Sequence, residues 1–332
     1  MILVTGGTGF VGAHLLYHLT LNEDNIRATY RAPESIENVK RVFSYYTDIE
    51  TPLFSKIEWI KADITSVPEM IPAFKNVTKV YHCAALISFN PKDYRAMRKV
   101  NIHGTAIIVN LSIDAKVQKL CFVSSIATIG EGAKEALVVE ENEWNGNEKN
   151  HGYAITKYGA EMEVWRASQE GVDVVIVNPG VILGPGFWQT GSGKLFSQVY
   201  KGFKFFTEGV TGFVGVNDVV TSMQLLMNSD IKNERFILVS ENKSFKELFF
   251  LIADSFQKKR PSFKVKPWLT AVFWRVDKVI TFLTQKEPLI TKHSAKSAHE
   301  KTYYSSDKLI KKTGFSFEKI EDVIKETSSF YS

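Results

Sequence analysis

The chain has 332 residues, 44% hydrophobic and 23% charged, with 41 Lys+Arg against 36 Asp+Glu for a formal net charge of +5. That length supports one large α/β domain and a smaller lobe, and the composition is that of an ordinary globular protein. Basic residues are scattered, with short clusters at Lys258-Lys259-Arg260 and Lys311-Lys312, and no apolar run reaches transmembrane length, so neither a nucleic-acid surface nor an integral membrane span is expected.

The first twelve residues, Met1-Ile-Leu-Val-Thr-Gly-Gly-Thr-Gly-Phe-Val-Gly12, run a short apolar strand (Ile2 to Val4) into a glycine turn and a helix. The helix carries the apolar pattern Phe10, Val11, Leu15, Leu16 and Leu19. Gly6, Gly9 and Gly12 are spaced G-x-x-G-x-x-G, a dinucleotide-binding variant with a turn one residue longer than G-x-G-x-x-G. Gly6 permits the turn, Gly9 lets backbone N–H groups approach a pyrophosphate, and Gly12 lets the helix pack close to the strand. The positive end of the helix dipole then faces the phosphates. A purely structural glycine turn is the competing reading, and the strand–turn–helix context argues against it. A chain that opens on a core strand predicts no cleaved leader and a cytoplasmic setting.

Further strands are predicted at Ile26–Tyr30, Ile57–Lys61, Lys79–His82, Lys119–Ser124 and Asp173–Asn178, with helical patterns between most of them. Short strands that are apolar throughout, alternating with helices, predict an α/β fold: a Rossmann-type doubly wound parallel sheet with a smaller C-terminal substrate-binding lobe. The predicted division is 1–180 for the dinucleotide-binding domain and 181–332 mainly for the substrate lobe, with segments near 210–240 returning to the first domain. Cys83 and Cys121 lie inside strand-like runs and read as buried, reduced thiols; no Cys/His spacing suits a metal.

After the second strand comes Arg31, with no carboxylate at the strand tip and Glu34 the nearest acid. A dinucleotide site with a free ribose 2′-hydroxyl usually places an acid there, whereas an arginine suits a 2′-phosphate. The charge therefore predicts NADP, with NAD as the alternative; a surface arginine with no ligand is the bland reading.

Tyr153-Ala-Ile-Thr-Lys157 puts a phenol and an ammonium on one helix face, one turn apart. A phenol's ordinary pKa is about 10. A nearby cation lowers it, which makes proton exchange with a carbinol oxygen feasible at neutral pH. Beyond Gly180, the stretch Gly184-Pro-Gly-Phe-Trp-Gln-Thr-Gly-Ser-Gly193 reads as a loop near the ligand. Residues 268–283 form an amphipathic helix with Leu269, Val272, Phe273, Val276, Val279, Ile280 and Leu283 on one stripe, and Trp268, Trp274 and Phe282 beside it. Core packing is the first reading of that stripe, and a dimer or membrane-surface contact the alternatives. The loop at 186–206 and this helix are expected to enclose the substrate.

With the glycine turn and the Tyr153–Lys157 pair in view, the chain resembles an extended short-chain dehydrogenase/reductase of the epimerase/dehydratase superfamily. Within it, the sequence is most similar to the dihydroflavonol reductase and 3β-hydroxysteroid dehydrogenase branch. The resemblance runs nearly the whole length. It includes Asp63 in Ala-Asp-Ile-Thr, His82-Cys-Ala-Ala85, Asn101-Ile-His-Gly-Thr105, Val123-Ser-Ser125, Asn178–Pro185, Phe213–Val220, Pro288–Thr291 and Tyr304–Gly314. It implies Tyr153 as acid/base, Lys157 as ribose ligand and tuner of the tyrosine, and Ser125, favoured over Ser124, as the hydrogen-bond partner of the substrate oxygen. Asn101 would hold an active-site water or the helix geometry; a helix N-cap is its alternative. Gly6, Thr8, Gly9, Phe10, Val11, Gly12, Asp63, Ile64, Ala84, Ala85, Ser124, Pro179, Gly180 and Val181 would contact the coenzyme. Leu86, Ser125, Phe187 and Trp188 would meet the substrate. His82 reads as a structural polar group. A homodimer through the Tyr153 helix is also implied.

Three functions compete. The first is an NADP-dependent reductase or dehydrogenase acting on a fairly apolar carbonyl/alcohol pair. The second is a nucleotide-sugar epimerase or dehydratase with tightly held NAD. The third is a non-catalytic dinucleotide sensor. Asn178-Pro-Gly-Val-Ile-Leu-Gly-Pro-Gly186 holds no arginine to clamp a diphosphate, and Leu86, Ile87, Phe89, Phe187, Trp188, Phe196, Phe205 and Phe206 make the substrate side apolar. Both points favour the first, and retention of Tyr153 and Lys157 disfavours the third.

Overall fold

The structure, a computed structural model, describes residues 1–47, 52–130, 137–146, 150–284 and 290–331. Pro288 and Leu289 of the segment Pro288–Thr291 lie outside the described residues, as do the side chains of Val279, Phe282 and Leu283.

Strands β1 (Ile2–Thr5), β2 (Ile26–Tyr30), β3 (Ile57–Lys61), β4 (Lys79–His82), β5 (Lys119–Val123) and β6 (Asp173–Pro179) pair in parallel. After them come β7 (Val181–Leu183), β8 (Phe205–Phe206), β9 (Val210–Gly215), β10 (Glu234–Leu238), β11 (Glu241–Ser244) and β12 (Phe263–Lys264). The main sheet has seven strands in the order β10-β6-β5-β4-β1-β2-β3, β10 joining β6 in parallel. Alternate side chains serve opposite faces. Val175 and Val177 of β6 enter one core with the helices Phe10–Thr20, Ile36–Phe43 and Val216–Met227. Val174 and Ile176 enter the other with Val67–Ala73, Thr105–Asp114 and Gly152–Gln169. Two buried faces explain why the central strands are mostly apolar, while the edge strand β3 exposes Glu58 and Lys61.

Strand order reverses between β1 and β4, so the crevice beyond their carboxyl ends is where a dinucleotide binds in folds of this kind. A small sheet, β11-β9-β7, and the helices Gly193–Tyr200, Phe245–Ser255 and Ile320–Ser329 enclose a second core around Leu183, Phe196, Phe213, Leu248, Ile252 and Val323. The helix Gly193–Tyr200 begins where the Gly184–Gly193 stretch ends. The Phe245–Ser255 helix opens on a capping box in which Ser244 and Glu247 satisfy each other's backbone N–H.

The helix expected at 268–283 is present as Pro267–Thr284, but its orientation corrects the first reading: Trp268, Val272, Phe273, Val276 and Ile280 are exposed, not packed into a core.

Candidate active site

Gly6, just past β1, has φ +69, and a Cβ there would lie 2.6 Å from the backbone N and Cα of Ala84 beyond β4. At Gly12 a Cβ would fall 2.2 Å from the Gly6 carbonyl oxygen. These two glycines thus let strand, turn and helix touch. Gly9 differs: it is exposed, and its missing Cβ would meet only the Gly6 oxygen, at 3.3 Å. The helix Phe10–Thr20 starts at Gly9 with no side-chain cap and no acid in its first turn. Open space above uncapped amides is what a pyrophosphate requires, so the residues fit a dinucleotide. Gly6, Thr8, Gly9, Phe10, Val11 and Gly12 would hold it. The Phe10 ring meets Phe187 edge-on at 5.6 Å, which brings Phe187 to the same turn.

Around the crevice, Arg31 is exposed directly after β2. Asp63 follows β3; its Oδ1 accepts from the Thr65 N–H and hydroxyl, each at 2.8 Å. Burial pushes this carboxyl up, but the Thr65 bonds and the Arg31 and Lys99 charges outweigh it and hold the carboxyl below the usual value. Ile64 is buried beneath Gly104, where a Cβ would meet it at 2.7 Å. Ala84 is half-buried and Ala85 exposed, both just past β4. His82 is locked between Thr5 (2.6 Å) and Thr105 (2.9 Å), and burial lowers its pKa to about 3, so it is a neutral strut.

Tyr153 lies in the first turn of the helix Gly152–Gln169, whose N-cap is His151; Nδ1 of His151 accepts from the Ala154 N–H at 3.3 Å. The Tyr153 hydroxyl bonds the Ser125 side chain. Burial pushes the phenol up to about 12, the Ser125 bond pulling the other way. The expected depression of this pKa is therefore reversed, because desolvation dominates. One turn on, the Lys157 Nζ donates to the Val123 carbonyl at 2.6 Å and sits 4.1 Å from the Phe122 ring centre. Burial lowers its pKa to about 7, against the attraction of Glu161.

The two serines after β5 separate by geometry. Ser125 starts the short turn Ile126–Thr128, accepting from the Ala127 N–H at 3.2 Å, and faces Tyr153. Ser124 turns inward and donates to Glu161 Oε2 at 2.6 Å. Asn101 is no N-cap. It sits in a π-helical stretch, Arg98–Gly104, within a continuous helical run, and π turns recur at functional sites. Its Oδ1 accepts from the Leu86 N–H at 2.7 Å, and its Nδ2 donates to the Leu86 carbonyl and to Thr156 Oγ1, both at 3.0 Å. Thr156 in turn donates to the Tyr153 carbonyl, so Asn101 ties the Leu86 backbone to the tyrosine's own turn.

Pro179 ends β6, Gly180 donates its N–H to the Leu238 carbonyl at 3.0 Å, and Val181 begins β7. Trp188 packs edge-on against Phe196 (6.1 Å) and Tyr331 (4.9 Å), and it hydrogen-bonds Tyr45, so it belongs to the packing of the small lobe.

Sequence reasoning missed two groups. The first centres on Glu161, fully buried four residues after Lys157. Oε2 accepts from Ser124, Thr128 (2.8 Å) and Asn178 (3.1 Å), and Oε1 pairs with Arg235 at 3.1 Å. Asn178 also donates to the Ser125 carbonyl, and the single Thr128 hydroxyl hydrogen lies within reach of both that carbonyl (2.9 Å) and Glu161, so this carboxylate anchors the serine's turn. The available signal was a charge on the same helix stripe as Ala160, Val164 and Ala167. The second group is aromatic: His151 lies 3.8 Å from His293 and 5.9 Å from Tyr153 between ring centres, and Phe89 is 6.0 Å from both Tyr153 and His293. His293 comes from the helix Lys292–Ser297, far away in sequence, which left no local signal.

A family profile described as male sterility protein matches residues 4–231. A putative dihydroflavonol 4-reductase of Synechocystis is 26% identical, over 99% of this chain and 93% of that protein. A UDP-glucose 4-epimerase of Vibrio cholerae is 27% identical, over 83% of this chain and 81% of that protein. The crystal structure of gox2253 superposes with a TM-score of 0.82 at 25% identity, covering 99% of this chain and 97% of that one. With that profile spanning more than half of the sequence, the chain belongs to the male sterility protein family of the extended short-chain dehydrogenase/reductases, and is an NAD(P)-dependent enzyme of the oxidoreductase type.

Proposed function

We propose that the chain is an NADP-dependent reductase of a fairly apolar ketone or aldehyde. The observation that carries this reading is the Tyr153 hydroxyl, bonded to Ser125 and kept protonated by burial. A protonated phenol is the acid that carbonyl reduction needs. A nicotinamide coenzyme supplies the hydride. Ser125 orients the carbonyl oxygen, Tyr153 gives that oxygen its proton, and Lys157 would hold the coenzyme's ribose. Asn101 keeps the Leu86 backbone in register with Tyr153. Apolar Ile87 and Phe89, both exposed, border the mouth and disfavour a diphosphate-bearing ligand.

Arg31, exposed directly after β2, supports a 2′-phosphate partner. The test is fluorescence titration of both reduced coenzymes, followed by a screen of carbonyl compounds. The wild type should prefer NADPH. Arg31→Ser should lose about tenfold or more of NADPH affinity while leaving NADH binding alone. Equal or better NADH affinity in the wild type overturns the preference. Nucleotide sugars co-purifying with the chain would favour the second reading, an epimerase, to which the Vibrio cholerae relative lends weight.

A further inference from the structure

The helix Pro267–Thr284 sits inside out. Its polar edge faces the protein: the Thr270 hydroxyl bonds His299 Nε2 at 2.9 Å, and Asp277 accepts from the Ile290 N–H at 3.1 Å. Its apolar edge faces outward, with Trp268, Val272, Phe273, Val276 and Ile280 each between 50% and 61% exposed. Positions 268, 272, 276 and 280 recur every fourth residue and so form one stripe, with Phe273 alongside. At about 1.5 Å per residue the stripe is about 18 Å long. The β8–β12 ribbon leading into the helix adds exposed Phe205 and Phe263, their rings 6.0 Å apart. Exposed apolar surface on this scale marks an interaction site.

Charge identifies the occupant. Between Lys258 and Thr284 the chain has seven lysines and arginines and one acid, Asp277. Arg260 is paired with Asp254 and Lys264 with Glu208, while Lys258 and Arg275 rest over the Tyr200 and Trp274 rings and keep their charge unneutralised by an acid among the described residues. A two-fold contact between copies would set this basic segment against itself. An anionic bilayer accepts both features, taking apolar side chains into the headgroup boundary while lysine and arginine reach lipid phosphates.

We propose that the helix Pro267–Thr284 docks the enzyme on the surface of an anionic lipid bilayer, lying in its plane with Trp268, Val272, Phe273, Val276 and Ile280 in the headgroup layer. The helix rests on the membrane without crossing it: no helix among the described residues is long and apolar enough to span. It packs on the helix Lys292–Ser297, whose His293 stands beside His151 and Phe89 at the Tyr153 mouth. Docking therefore brings the site's entrance next to the lipid phase.

The test is co-sedimentation of the full chain with vesicles of phosphatidylcholine alone and of phosphatidylcholine with phosphatidylserine. The wild type should pellet with the phosphatidylserine vesicles and be released as salt rises. Phe273→Glu with Val276→Glu should lower the partition about tenfold or more, with an unchanged far-ultraviolet dichroism spectrum. Phe273→Ser, which removes the ring without adding charge, should shift it the same way. A wild type that stays in the supernatant overturns the proposal. Binding that the glutamates leave unaltered also overturns it. So does a lipid-free dimer, seen by sedimentation equilibrium, that the glutamates dissociate, since that assigns the face to a second copy.

Discussion

Replacing Glu161 by Gln keeps the shape of the buried side chain and removes its charge. The glutamine oxygen can still accept from Ser124, Thr128 and Asn178, but its amide then points donors at the Arg235 guanidinium. Three bonds to an ionised acceptor become bonds to a neutral one, at about 1 kcal/mol each. Arg235 keeps the Glu140 and Asn142 carbonyls, which limits its own loss to about 1 kcal/mol more. The total, about 4 kcal/mol, divided by the unfolding entropy of a 332-residue chain, lowers the thermal midpoint by about 6 °C. Calorimetry on coenzyme-free protein measures this. Turnover should fall as well, because the Ser125 carbonyl hangs from two of the donors that Glu161 holds. A midpoint within about 2 °C of wild type would refute the claim that this carboxylate organises the turn.

The glycines of the first turn should divide by role. Gly12→Ala drives a methyl to 2.2 Å from a backbone oxygen that cannot step aside, and should cost about 3 kcal/mol of stability by urea titration. Gly9→Ala, with its nearest contact at 3.3 Å, should leave stability near wild type and weaken coenzyme binding; a Gly9→Ala protein that binds coenzyme normally contradicts the assigned pyrophosphate site. Acid should act through His14, buried between Tyr46 (2.7 Å) and the Pro185 carbonyl (3.1 Å), its pKa lowered by burial from 6.5 to about 3. The unfolded chain binds this proton first, so the contribution is complete above 6.5 and is lost as pH falls from 6.5 toward 3, at about 1.4 kcal/mol per unit. His82 and His151 share this shift, so His14→Gln should lower the slope of that limb by about 1.4 kcal/mol per unit without abolishing it, in urea midpoints measured across the range, and an unchanged slope would rule the group out.

The sheet could be read from the sequence because its strands are buried on both faces. β1, β5 and β6 are therefore mostly apolar, while β2 and β3 carry the paired Arg27 and Glu58; the predicted ends differ from the observed ones by one residue, at Thr5, Val123 and Pro179. The small sheet was hidden: β11 is Glu-Asn-Lys-Ser, half-buried, and gains its place from a partner, β9, that no local pattern names. Periodicity announced the helix at 268–283 but is silent on what faces its stripe, and the stripe turned outward. Motif spacing singled out Tyr153 and Lys157, and the family resemblance singled out Ser125, which the fold brings beside Tyr153. Glu161 was not legible, since a charged letter in a helix ordinarily lies in solvent, and the partners that make its burial tolerable, Ser124, Thr128, Asn178 and Arg235, come from other elements. Burial also reversed the expected direction of the Tyr153 pKa, a quantity that one-turn spacing does not contain.

The central claim is that the Tyr153 phenol transfers the proton while other groups hold the coenzyme. Tyr153→Phe, which removes one oxygen, tests it most directly when coenzyme affinity and turnover are measured on the same preparation. The account predicts coenzyme binding within about twofold of wild type and turnover lower by about a hundredfold or more. Turnover at the wild-type rate would contradict it.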